Sequence, residues 1–296
     1  MPAERITDQA EGLRRLLART STRVVTVAAA RAGMGATSIV VNLAATLAKT
    51  GKDVLVLDES MSYDNVGNML ALKPRYDLLN AVRRDKPLRD IILQKQDGTR
   101  VLPMARAIQA LTELSPKERE CLLECLAEAS HGMDMVLVDA ATTGQRYIST
   151  SLAPDQPLLV VLNTTTSSIT ESYSLIKRMA TEDGRQSFEM VINRARNEQE
   201  AQVVFANMAE VARRHLQVRV EYLGYIPLDE QLKRATMLCR PVVEAFPATT
   251  AARAFSDLAN NLMLLPPARN EGAGGLSGMV QRLMRQARSP TMAYAN

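Results

Sequence analysis

Tryptophan is absent from this 296-residue chain, and all aromatic residues together supply 4% of it. A core built without large rings has to be aliphatic and rich in methionine, of which there are 15. The same scarcity argues against a protein that reads single-stranded nucleic acid by stacking bases on rings. Histidine occurs only as His131 and His215, and cysteine only as Cys121, Cys125 and Cys239. So few ligands of these types argue against a His/Cys metal site. Nor do the cysteines suggest a disulfide framework, since Cys121 and Cys125 sit four apart in a leucine-rich helical stretch, as small apolar residues on one face. No apolar run reaches the length of a membrane span. The amino end, MPAERITDQAEG, is charged and lacks the apolar stretch of a secretory signal. These absences lead us to expect a cytoplasmic protein.

What is present is the material of a folded α/β domain. The chain is 46% hydrophobic and 23% charged, and its length allows a sizeable core. A net charge of +4 permits an acidic partner without requiring one. The organising stretch is 24–46, VVTVAAARAGMGATSIVVNLAAT. It reads as a buried strand, a glycine-bearing turn over 31–36, and a helix opening at Thr37. A strand passing through such a turn into a helix start aims backbone N–H groups at one point. The helix terminus adds partial positive charge there, the geometry that cradles phosphate. Against the pattern G-x-x-x-x-G-K-[ST], Ala36 stands where the lysine belongs. The alternative is an ordinary turn that needs glycine only for a positive φ.

Further buried strands punctuate the chain. DVLVLD ends at Asp58, MDMVLVDAA contains Asp139, and PLLVVLN, MVINR and YLGYIP follow. They alternate with helical stretches, which predicts a mostly parallel central sheet flanked by helices in three α/β/α layers. An acid at the carboxyl edge of a parallel strand lies beside the ligand crevice of such a sheet. Asp139 accordingly reads as a Walker B carboxylate near magnesium, or else as a strand-terminal cap. A helix is expected at about 113–130, with Ser115-Pro116 at its start. Residues 5–18 read as a short amphipathic helix that packs, covers the domain or meets a partner. Beyond the glycine-rich linker PPARNEGAGG, the segment LSGMVQRLMRQAR places Leu276, Met279, Val280, Leu283 and Met284 on one face and arginines on the rest. A basic amphipathic helix of this kind suits an anionic membrane surface, or docks on its own domain or on a partner.

The wording of these motifs resembles a known family. Arg31-Ala32-Gly33-Met34-Gly35-Ala36-Thr37-Ser38 resembles the deviant Walker A, K-G-G-x-G-K-T-T, of the MinD/ParA class. Arg31 stands at the signature lysine that in that class reaches the partner's nucleotide across a dimer. Asp8, Gln9, Ala10, Leu13 and Arg14 resemble the D-Q-A-x-x-L-R segment of the FlhG (FleN) regulators of flagellar number, and SSITESYSLIKRM is similar to a helix of the same family.

The resemblance implies an ATP or ADP site with Mg²⁺, built from Arg31, Gly33, Met34, Gly35, Ala36, Thr37 and Ser38. Asn193 stands at the position that meets the adenine edge in the class, with a loop-capping asparagine as the alternative reading, and Pro227 and Asp229 lie in the I-P-x-D turn beside the purine. Thr37, Asp58 and Asp139 fall on the metal side. The family's Asp-x-Asp is here Asp58-Glu59-Ser60, so Ser60 replaces the acid that orients the attacking water. A serine without an activating partner is no useful base at neutral pH. Hydrolysis is therefore expected to be weak or absent. The alternative is an active ATP-dependent membrane switch that forms a nucleotide-dependent homodimer.

The implied partners are an FlhF-type GTPase, met by residues 8–14, and flagellar basal-body or transcriptional-regulator proteins. DNA binding is not expected, because no basic stripe accompanies the dimer-facing segments. The organisation expected is a partner-binding helix over 1–20, a MinD-like domain over 21–265, a linker over 266–275 and a membrane helix over 276–288, which would hold the protein at the inner face of the cytoplasmic membrane.

Overall fold

A computed structural model describes residues 22–141 and 156–266. The segments 5–18 and 276–288, with residues 8–14 and the five apolar residues of the carboxy-terminal segment, lie outside the described residues. An eight-stranded sheet forms the centre, with strand order β3-β4-β2-β5-β1-β6-β7-β8. The strands are β1 (Arg23–Ala29), β2 (Val54–Asp58), β3 (Leu93–Gln94), β4 (Arg100–Pro103), β5 (Met135–Asp139), β6 (Leu158–Asn163), β7 (Ser187–Ala195) and β8 (Arg219–Pro227). All neighbours pair in parallel except β3, which joins β4 antiparallel at one edge.

The central strands read as unbroken apolar runs because both of their faces are covered. In β5, Met135 and Leu137 enter one core cluster while Val136 and Val138 enter another on the opposite face. The same period of two divides Val54 and Val56 from Leu55 and Leu57 in β2. On the first face lie α1 (Ala36–Lys49) and α10 (Thr250–Leu264). On the second lie α5 (Pro116–Ser130), α6 (Thr166–Glu182) and α7 (Glu198–Leu216). The short helices are α2 (Val66–Met69), α3 (Leu78–Val82), α4 (Ala105–Gln109), α8 (Glu230–Met237) and α9 (Val242–Ala245). The expected three-layer α/β/α architecture is what the chain adopts.

Helix boundaries follow local chemistry. Ser115 and Glu118 close a capping box at the start of α5, with Pro116 inside the first turn. The start expected at Ser115-Pro116 is where this box sets the boundary. Helix α1 ends at Lys49, and Gly51, at φ +80°, donates its N–H back to the Ala48 carbonyl. Over Leu88–Asp90 the chain makes a single 3₁₀ turn. No helix among the described residues is long and apolar enough to cross a membrane.

From β1 the chain moves first to the β2 side of the sheet and later, through β6, to the other. That reversal opens a crevice above the carboxyl ends of β1 and its neighbours. At the opposite edge, the Arg23 guanidinium donates to the carbonyls of Leu262 (2.8 Å) and Met263 (3.2 Å), tying the start of β1 to the end of α10. Arg23→Ala is expected to lower stability by about 1 kcal/mol and to speed amide exchange in the last turn of α10. Denaturant unfolding and hydrogen exchange check it, and unchanged exchange there would contradict the clamp.

Candidate functional site

A cleft of about 740 Å³ runs across the carboxyl ends of the strands, a size suited to a small organic ligand. Its floor is the turn 31–38, to which Arg31, Gly33, Gly35, Ala36, Thr37 and Ser38 all contribute. One wall comes from the segments after β2 and β5, and the other from β7, β8 and α8.

The turn is shaped by two glycines at positive φ, Gly33 at +83° and Gly35 at +102°. For Gly35 the reason is spatial as well as conformational. A Cβ there would lie 2.2 Å from Nδ2 of Asn193. Gly35 also precedes α1 without any side-chain cap, so the first N–H groups of the helix are left to face the cleft. Met34, the residue between the glycines, points the other way. Its side chain is fully buried, with Sδ 3.8 Å from the Ser168 hydroxyl at the start of α6.

The expected metal-side residues are brought together. Asp58 and Asp139 are register partners on β2 and β5, and the Thr37 hydroxyl donates to Asp139 Oδ2 at 2.8 Å. Both carboxyls are buried. Burial pushes Asp58 up to about 6, against the pull of the Ser60 and Gly67 N–H groups that donate to it. Asp139 is raised well above the usual carboxylate range by burial and then by the neighbouring Asp58, with the Thr37 hydroxyl opposing. Such a pair accommodates a cation or a proton, and magnesium would meet it beside Thr37.

Ser60 lines the cleft, but its hydroxyl lies 2.8 Å from that of Ser62 and accepts the Ser62 N–H, so its partners are hydroxyl and backbone rather than a base. Arg31 is also engaged within the chain: its Nε donates to Glu171 Oε2 of α6 at 2.7 Å, with both side chains well exposed. Asn193 is buried, donates Nδ2 to the Met34 carbonyl at 2.8 Å and accepts the Arg194 N–H on Oδ1. Its amide therefore braces the turn while lining the cleft. Pro227 and Asp229 line the far wall, and Asp229 caps α8 by accepting from the Gln231 N–H. Three contributors were not anticipated: Arg194, the helix α8 with Leu232, Lys233, Thr236 and Met237, and the loop residues Met61, Ser62 and Asp64. An Asp-capped eight-residue helical stretch after the I-P-x-D turn was the signal available for α8.

The model of the family described as "ParA: NUBPL iron-transfer P-loop NTPase" matches residues 20–263. The chain belongs to the ParA family of P-loop NTPases. Within that family it is 34% identical over 264 residues to the antiactivator FleN of Pseudomonas aeruginosa, covering 89% of this chain and 94% of that one. The flagellum site-determining protein YlxH of Helicobacter pylori is 22% identical over 72% of each chain. Among solved structures, the MinD cell division protein of Aquifex aeolicus has a TM-score of 0.65 at 22% identity, over 84% of this chain and all of that one, which speaks for the fold. The ParA-family, FleN-like resemblance read from the sequence thus holds, as does the MinD-like sheet. Nucleotide and Mg²⁺ binding are general properties of P-loop NTPases.

Buried acids that hold protons to higher pH than in the unfolded chain make the folded state the better proton binder. Unfolded aspartates titrate near about 3.9, so stability falls as pH rises through the window above that value, and Asp58 completes its share by about 6. Asp139→Asn keeps a partner for Thr37 and removes the buried charge. It is expected to flatten this slope and to stabilise the metal-free protein at alkaline pH. Urea unfolding in chelator at acid and alkaline pH provides the comparison, and an unaltered slope would count against it.

Proposed function

We propose that this ParA-family protein is a FleN/FlhG-type regulator of flagellar number and placement whose nucleotide cleft hydrolyses ATP weakly or not at all. The observation that carries the reading is selective loss: the backbone cradle, Thr37 and the Asp58–Asp139 pair persist, while Ala36 and Ser60 replace the two groups that hydrolysis needs most. A lysine to phosphate contact is worth about 1.5–3 kcal/mol, and phosphoryl transfer depends on an oriented nucleophile. The relatives named FleN and flagellum site-determining YlxH support the flagellar assignment.

The residues fit a nucleotide's phosphates better than they fit its hydrolysis. The N–H groups at the start of α1 and the Thr37 hydroxyl would hold phosphate oxygens, Mg²⁺ would be met by Thr37 with Asp58 and Asp139 behind it, and the base would lie toward Asn193, Pro227 and Asp229. Bound Mg²⁺ would supply charge neutralisation there. The chain's own contribution is binding and orientation, since Ser60 has no base to activate it.

In this reading, the protein acts by contact. Asp8, Gln9, Ala10, Leu13 and Arg14 would meet an FlhF-type GTPase, with basal-body or transcriptional-regulator proteins as further partners. The segment 276–288 would bring it to an anionic membrane surface, with 21–265 as the folded domain and 266–275 as the linker. A second reading, an ATP-driven dimerising membrane switch, draws on Arg31, which sits at the mouth of the cleft with its side chain half exposed, where a partner subunit's nucleotide could meet it.

Purified protein is expected to show little ATP turnover, and Ala36→Lys with Ser60→Asp to raise it by roughly tenfold or more. A phosphate-release assay reads both, and wild-type turnover matching that of the double variant would exclude the defective-cleft reading. Removing residues 1–19 is expected to abolish stimulation of the GTPase partner, measured as GTP turnover of the mixture. Undiminished stimulation would remove residues 8–14 from the contact.

A further inference from the structure

Helix α1 carries a polar residue amid apolar surroundings. Asn42, in its second turn, is buried along with its neighbours Val41 and Leu43. Asparagine weakens a helix relative to alanine, because its carboxamide competes for backbone hydrogen bonds. Once buried, that carboxamide also has to find partners for both of its ends. Here Nδ2 donates to the Ser38 carbonyl at 2.8 Å, one turn back in α1, and Oδ1 accepts the Val242 N–H at 2.7 Å. The second bond joins residues 200 apart in the chain.

The two bonds lead to different sides of the cleft. Ser38 belongs to its floor, whereas Val242 opens α9, the short helix that follows α8, and no side chain of its own segment caps that N–H. Helix α8 lines the cleft through Leu232, Lys233, Thr236 and Met237, yet Ala235 is its one buried residue. So little burial leaves the helix to be held from its ends. At its start, Asp229 accepts from the Thr250 hydroxyl (3.0 Å) and the Ala251 N–H (3.1 Å). Past its last turn, the Arg240 N–H returns to the Ala235 carbonyl and the Arg234 guanidinium lies over the Phe246 ring, so α8 and α9 form one unit. That unit is fastened to α1 by Asn42 and by Lys49, which donates to the Val243 carbonyl, and to the segment after β3 by Lys95 with Glu244. Among these fasteners, Asn42 is the one that also grips the first turn of α1.

We propose that Asn42 is a positioning residue for nucleotide binding: it sets the span between the N–H groups that open α1 and the α8 wall, so that phosphates and base are held at once. The proposal rests on the nucleotide-binding reading above and deepens it with a residue that does not itself line the cleft. Severing the Val242 bond leaves a buried N–H without its partner and frees the α8–α9 unit to drift from α1. The cradle keeps its own anchors, Asp139 and Asn193. A ligand that touches the cradle alone is therefore indifferent to Asn42, whereas one that reaches both sides depends on it.

Titration calorimetry of the full chain with ADP and with inorganic pyrophosphate, each with Mg²⁺, separates the two cases. Asn42→Ala is expected to weaken ADP binding roughly tenfold and to leave pyrophosphate binding within about twofold of wild type. Asn42→Leu, which keeps the side-chain volume, is expected to do the same. Equal weakening of both ligands, or undiminished ADP affinity, would overturn the proposal and leave the nucleotide reading intact. Wild-type protein that binds neither ligand would overturn both. Hydrogen exchange of the wild-type chain gives a reading that needs no variant to fold. At equal saturation, ADP is expected to slow exchange of the Val242 amide more than pyrophosphate does. Equal slowing by the two would overturn the role assigned to Asn42.

Discussion

The turn between β1 and α1 is pinned from both sides, and the cleft depends on that. From β5, Asp139 accepts the Thr37 hydroxyl; from β7, Asn193 donates to the Met34 carbonyl. The first bond fixes the opening of the helix and the second fixes the glycine bend before it. Because the Asn193 amide packs where a Cβ of Gly35 would be, the bend has room for backbone only. The result is a concave run of N–H groups held by side chains three strands apart in the sheet order. Their placement survives without a lysine, because none of these anchors involves position 36.

That separation explains how the cleft keeps its form with alanine at position 36. The lysine and the water-orienting acid act on a ligand, whereas the two anchors act on the fold. Removing the first pair costs the folded chain little; removing either anchor would leave a buried polar group without its partner. The acid pair shows the reverse. Asp58 and Asp139 are buried side by side and displaced toward the protonated form, so they oppose folding in the absence of a cation.

The features legible in the sequence were those set by local pattern. Continuous apolar strands ending in acids predicted a doubly covered parallel sheet and placed Asp58 and Asp139 at its carboxyl edge, because strand direction and burial are both encoded in a run such as VLVLD. Ser115-Pro116 marked a helix start through capping chemistry that needs only neighbours in the chain. Pairings across distance were not legible. Arg31 meeting Glu171 joins residues 140 apart, and Asn193 meeting Met34 joins residues 159 apart. The antiparallel edge of Leu93–Gln94 is too short to show periodicity, and α8 joins the cleft only because β8 delivers it there.

The clamp at Arg23 also fixes where the two ends of the domain lie. Helix α10 spans roughly 22 Å. Its first turn touches Asp229 beside the cleft, and its last turn is gripped by the residue that opens β1. Both termini of the folded domain therefore leave from a single corner, remote from the cleft yet joined to it by one stiff rod. The described ends of the domain, residues 22 and 266, thus lie close to one another.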